Sequence, residues 1–156
     1  MTSDEKIPLL DSLLMRAAEM LGDITSHVFS RYYAKLPQAA PLFDGCFPGY
    51  EQALLEGLMV EQVLDCVMRW FDSRGEIEIT LMNTIPHHLD TLNVPPEHFA
   101  QLVEAVFDTL AMTIPDTEPA EREVLDGIRK ELIGVCREAI DSALHYAEQR
   151  RLRRSA

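Results

Sequence analysis

The sequence has no apolar run of the roughly 18 to 20 residues that are needed to cross a bilayer. Residues 1–6 also lack the basic and then apolar pattern of a secretory signal. Together, these two absences lead us to expect a cytoplasmic protein that makes no contact with a membrane.

Cysteines and positive charges are both scarce. The cysteines are few, odd in number and far apart, which resembles neither a disulfide framework nor a zinc site: Cys46, Cys66 and Cys136. The net charge is −12, with 14 lysines and arginines against 26 aspartates and glutamates, so nucleic-acid phosphates would be repelled. We expect reduced thiols and no nucleic-acid partner. The arginines of residues 150–154 indicate a solvated helix end.

Apolar side chains are abundant and follow a helical pattern. They make up 47% of the 156 residues, which is enough for one domain, residues 1–156, with its own core. Over residues 99–114 and 124–143 they recur at spacings of three and four, typical of amphipathic helices. A strand is hinted at only by Ile77-Glu78-Ile79, which is too short to found a sheet. The sequence therefore predicts an all-α fold.

Residues 88–99 place a histidine before a proline corner and a new apolar stripe. In vertebrate haemoglobin chains the iron-binding histidine opens a stretch of the form H-x-D-x-L-x-V-x-P-E-x-F. This chain is similar at every fixed place: His88, Asp90, Leu92, Val94, Pro96, Glu97 and Phe99. The stretch resembles the haem-proximal part of a globin. The resemblance implies that His88 binds the iron and that Val94 and Phe99 lie beside the haem.

A second stretch, residues 24–43, resembles the B helix, C turn and corner phenylalanine of bacterial globins and flavohaemoglobins. Their pattern is approximately I-T-x-x-F-Y-x-R-M, followed by a proline and then by a phenylalanine that wedges against the haem. Matching residues occur at the same separations without a gap: Ile24, Thr25, Arg31, Pro37 and Phe43. The resemblance implies that Phe43 is the wedge, with ordinary core packing as its alternative role.

The distal side departs from the bacterial globins that bind oxygen tightly. These usually carry a tyrosine where this chain has Phe29, which has no hydroxyl to donate. Aligning residues 63–71 with the haemoglobin E helix places Met59 at the distal position. The alternatives that stay open there are Leu55, Glu56, Val60 and Gln52. The favoured alignment implies an apolar distal pocket that includes Phe29, Met59, Val63 and Val67.

The remaining histidines are expected away from the iron. His87 is rotated by about 100° around the helix from His88, so it should point away from the same ring. His98 and His145 are expected on polar helix faces. His27 resembles a residue that bacterial globins often carry beside the distal pocket without using it as a ligand.

The resemblance implies a globin-like three-over-three helical sandwich that holds haem b through His88 and binds O2, CO or NO at the open iron position. Sensing or ligand binding is its expected use. Because a distal donor contributes about 1.5 to 3 kcal/mol, its loss should raise the oxygen dissociation rate roughly 10- to 100-fold. One alternative is a haem-free globin-like signalling or interaction module whose pocket is filled by side chains. A less favoured one is a nitric oxide dioxygenase that depends on an external reductase.

The long last helix leaves a homodimer and a signalling partner open. Two copies could pair along this helix through Leu132, Cys136 and Leu144, as in globin-coupled sensors. The same residues could equally face the core of one chain. The sequence alone does not separate these arrangements.

Overall fold

A computed structural model describes residues 1–43 and 51–155 of the chain. These residues form one short 3-10 turn, Pro37–Ala39, and seven α-helices, and they contain no strand. The helices are α1 (Ser3–Leu21), α2 (Thr25–Lys35), α3 (Ala40–Phe43), α4 (Gln52–Met68), α5 (Trp70–Asp90), α6 (Pro96–Ala111) and α7 (Pro119–Arg154). The predicted all-α class is confirmed, and residues 77–79 lie inside α5.

Local sequence signals account for several helix ends. The Glu5 carboxylate accepts a hydrogen bond from the backbone N–H of Thr2 at 2.6 Å, which stabilises the first turn of α1. The same helix stops at Gly22, whose φ of 63° lies in the left-handed region that glycine adopts without strain. Within α5, Ser73 departs from helical geometry with φ −137° and ψ 30°, so this long helix is kinked near its start.

The corner between α5 and α6 brings the two ends of residues 88–99 together. Val94 donates its N–H to the carbonyl oxygen of His88 at 3.1 Å. Asn93 has a φ of 52°, a left-handed conformation that asparagine tolerates better than most residues. Pro96 then opens α6 at a position where its missing N–H costs little. As a result, the rings of His88 and Phe99 meet edge to face with centroids 5.1 Å apart.

The core lies where α7 packs against α1, α5 and α6, and where α2 crosses α6. Burial of apolar side chains from these helices supplies the main driving force for their packing. The fully buried members include Leu13, Val28, Ile85, Val106, Phe107, Leu125 and Ile128. Across the described ranges, no helix is both long enough and apolar enough to span a bilayer.

The burial of one side of α7 argues against the surface through which two copies were considered to pair. Leu132 and Cys136 are each only 1% exposed and face the core of their own chain. The physical reason is that α5 and α6 already cover this stripe, which leaves no apolar surface there for a second copy. Leu144 is 49% exposed, and residues 144–155 are all exposed, as expected of a solvated helix end.

Candidate functional site

A cavity of about 560 Å³ opens between the first turns of α4, the end of α5 and the start of α6. Its volume lies in the range of roughly 300 to 1,000 Å³ that is typical of small-molecule and cofactor sites. The wall is mostly apolar and is formed by Leu42, Phe43, Leu55, Leu58, Met59, Leu92, Val94, Phe99 and Leu102. The polar side chains in the wall are Tyr32, His87, His88, Thr91 and His98.

His88 is half-buried in the last turn of α5 and is held in one orientation. Its Nδ1 lies 2.8 Å from the carbonyl oxygen of Thr84, one turn earlier. Because a carbonyl oxygen only accepts hydrogen bonds, Nδ1 carries the proton, and in the neutral ring Nε2 keeps its lone pair. This is the imidazole form that binds a metal, with the ring orientation fixed through its other nitrogen. His88 therefore fits the role of a single axial ligand.

The predicted aromatic wedge also lies in the cavity wall. Phe43 packs edge to face against Phe29, with ring centroids 5.0 Å apart. Phe29 is buried behind Phe43 and is not among the residues that line the cavity. Phe29 therefore supports the Phe43 ring from the core side and does not form the wall itself.

Five of the eight predicted site residues share the cavity wall: Phe43, Met59, His88, Val94 and Phe99. The structure does not bring Val63 and Val67 to this wall. The cavity contacts only the N-terminal half of α4, and these two valines follow Met59 by one and two further turns. Val67 is fully buried in the helical core.

The α4 residues considered for the distal position differ in whether they line the cavity. Leu55 and Met59, one turn apart, both line the cavity, whereas Val60 is buried in the core. The Glu56 carboxylate accepts hydrogen bonds from the Tyr33 hydroxyl at 2.6 Å and from the side-chain amide of Gln52 at 2.8 Å. The Tyr33 hydrogen bond joins the start of α4 to α2, and the Gln52 hydrogen bond lies within α4.

Two buried polar residues of the cavity wall were not predicted from the sequence. Tyr32 is 2% exposed and His98 is 4% exposed, and their rings meet edge to face with centroids 6.3 Å apart. The expectation that His98 lies on a polar face is wrong, because the first turn of α6 packs against α2. The signal that could have found His98 is its spacing, one turn before the apolar Leu102. His87 also departs from expectation, because it is exposed and borders the cavity.

Neither Tyr32 nor His98 has a side-chain hydrogen bond within the described part of the chain. The Nδ1 atom of His98 is buried without a partner among these residues. Burial lowers the pKa of His98, although Glu97 opposes the shift, and burial raises the pKa of Tyr32. Both side chains are therefore held in their neutral forms.

The donor set of the cavity can be compared with what a metal ion and a haem each require. Among residues 1–43 and 51–155, no cluster of three or more His, Cys, Asp or Glu side chains could hold a metal ion. A five-coordinate haem iron requires only one imidazole from the protein, together with an apolar pocket for the macrocycle. One oriented imidazole in an apolar cavity meets both requirements.

The thiols lie apart from the cavity wall. Cys66 is half-buried, Cys136 is buried, and both are free. Burial raises the pKa of Cys136 to about 12, so its thiol stays protonated. Cys46 lies outside the described residues.

Comparisons of this chain with known protein families, with curated proteins and with solved structures find no match. The cavity and its lining are therefore the basis for a functional assignment. They combine one oriented imidazole, a mostly apolar wall and two buried polar side chains, Tyr32 and His98, that form no hydrogen bond with another described residue.

Proposed function

We propose that this chain is a globin-like protein that holds haem b in the cavity through His88 and binds O2, CO or NO on the open side of the iron. The observation that carries the proposal is the orientation of His88, whose Nδ1 donates to the Thr84 carbonyl oxygen from a position in the cavity wall. The haem iron would supply the coordination position that a diatomic gas occupies.

The residues around His88 hold the imidazole from two sides. The Thr84 carbonyl fixes one ring nitrogen, and the Phe99 ring packs edge to face at a centroid distance of 5.1 Å. Restricting the ring in this way lowers the entropy that it would lose on binding a metal. Phe43 and Met59 supply apolar surface for a macrocycle and exclude water from it.

The helical arrangement is compatible with this role. Helices α2, α3, α4, α5 and α6 all contribute side chains to the cavity wall. Under the proposal they form the three-over-three globin sandwich, and residues 1–156 are one haem-binding domain. Residues that are distant in the sequence would thus meet at one haem.

Gas binding or sensing is favoured over catalysis within this proposal. Phe29 offers no hydroxyl to bound oxygen, and Leu55 and Met59 line the cavity from α4. A nitric oxide dioxygenase would in addition need a reductase from another protein. The haem-free signalling module is the weaker alternative, because it requires a pocket filled by side chains, and those of the described residues leave a cavity of about 560 Å³.

The test is the ultraviolet-visible spectrum of purified protein with haem supplied, in the ferric, ferrous and CO-bound states. Wild type should give a Soret band that shifts when CO binds, and His88→Ala should weaken or change it. His145→Ala is the matched control, because His145 is exposed on α7 and should leave the spectrum unchanged. Added imidazole should restore the band of His88→Ala by replacing the lost ligand.

The proposal fails if wild type takes up no haem. It also fails if His88→Ala has the same spectrum and the same CO shift as wild type. Far-ultraviolet circular dichroism of each variant verifies that the helices are intact, so that a lost band reports the lost ligand.

A further inference from the structure

Tyr32 and His98 are polar residues of the cavity wall whose side chains have no hydrogen-bond partner among the described residues. Tyr32 comes from α2 and His98 from the first turn of α6, and both are more than nine-tenths buried. No other described residue forms a hydrogen bond with either side chain, and the Nδ1 atom of His98 is buried without a partner. A buried polar side chain without a hydrogen-bond partner is uncommon in proteins, so the two side chains together call for an explanation.

Both side chains are placed to donate. An unpaired N–H is rarer in proteins than an unpaired acceptor, so the buried Nδ1 of His98 is best left without the proton. Nδ1 then remains an unpaired acceptor, and the proton lies on Nε2, the other ring nitrogen of this cavity-lining residue. Tyr32 keeps its hydroxyl proton because burial raises its pKa. Two neutral donors from two helices thus line the same cavity, and the centroids of their rings are 6.3 Å apart.

We propose that Tyr32 and His98 form a donor pair that hydrogen-bonds to an acceptor oxygen of the molecule bound in the cavity. The inference rests on the proposed haem site, where acceptor oxygens come from two sources, the haem carboxylates and iron-bound dioxygen. In a cavity with a mostly apolar wall, such a bond is stronger than in water. The pair would therefore select for an occupant that carries the acceptor oxygen.

Two arms of one experiment distinguish the two sources. The first compares the affinity of the protein for haem with its affinity for haem dimethyl ester, whose carboxylates are blocked. The second measures the dissociation rates of O2 and CO from the ferrous protein. Tyr32→Phe and His98→Leu should each lower the preference for haem over the ester about ten-fold if the carboxylate is the acceptor. If dioxygen is the acceptor, each should raise the O2 rate about ten-fold and leave the CO rate unchanged.

Matched variants separate hydrogen bonding from packing. Tyr33→Phe removes a neighbouring hydroxyl that binds Glu56 and does not line the cavity. It should change neither the ratio of the affinities for haem and its ester nor the ratio of the O2 and CO dissociation rates. His98→Gln keeps a side-chain N–H donor and should preserve most of the wild-type ratio. If His98→Leu does not fold, Tyr32→Phe and His98→Gln decide the question.

A change in either ratio that Tyr33→Phe does not share supports the donor pair and identifies its acceptor. Unchanged ratios in both arms overturn it, because the two donors would then bind only water. Equal changes in Tyr33→Phe also overturn it, since the effect would be general packing. Failure of wild type to bind haem at all is a different result, which removes the proposed function and the donor pair with it.

Discussion

Leu132 tests whether the apolar side of α7 packs within one chain or pairs with a second copy. Its side chain is 1% exposed in the core, whereas Leu144, on the same helix, is 49% exposed. Leu132→Ala removes three carbon atoms, and the lost transfer free energy with a residual cavity should lower the free energy of unfolding by about 3 kcal/mol. For a chain of this size the melting temperature should then fall by about 6 to 12 °C.

The assay is thermal unfolding followed by circular dichroism, at two protein concentrations that differ about ten-fold. Leu144→Ala is the matched control, and an exposed leucine should change the free energy of unfolding by less than about 0.5 kcal/mol. Because Leu132 packs within one chain, its effect should be the same at both concentrations. A loss of stability that grows on dilution would refute this reasoning, since it would place Leu132 at an interface between copies.

Two further predictions concern titratable groups. The Arg16 guanidinium binds the buried Glu121 carboxylate and holds its pKa below the ordinary value of 4.5. Because the pKa of Glu121 is lower in the folded chain than in the unfolded chain, its ion pair with Arg16 stabilises the fold above pH 4.5, and this stabilisation is lost as the pH falls through the lowered pKa. The free energy of unfolding of Arg16→Met in urea should therefore depend less on pH below 4.5 than that of wild type. Cys136, with its pKa raised to about 12, should resist alkylation at pH 8 in the folded protein and react once urea unfolds it, as followed by mass spectrometry. Rapid labelling of the folded protein at Cys136 would contradict its burial.

The helices were predictable because their signal is local. Apolar residues at spacings of three and four predicted helices over 99–114 and 124–143, and the structure has Pro96–Ala111 and Pro119–Arg154 there. The hint of a strand at 77–79 arose from two isoleucines that alternate with a glutamate. In the structure Ile77 is buried and Ile79 is exposed on one helix, so they do not share the face that a strand would give them.

The candidate site was predictable where its parts are close in sequence. His88, Val94 and Phe99 are joined by one corner, whose asparagine and prolines fix the path of the chain. The assignment of α4 was harder, because five residues could occupy the distal position. Only the packing of α4 against α2 separates Leu55 and Met59, which line the cavity, from Glu56, which binds Tyr33.

The sequence by itself determined that the chain is helical and that only a short proline corner separates His88 from Phe99, because both signals act over a few positions of the chain. Tertiary structure alone decided that Tyr32 and His98 meet in the cavity and that Leu132 faces the core. The physical reason is that an amphipathic pattern shows which side of a helix is buried but not which helix covers it. A partner from α2, α5 or α6 is fixed only when all of the helices pack together.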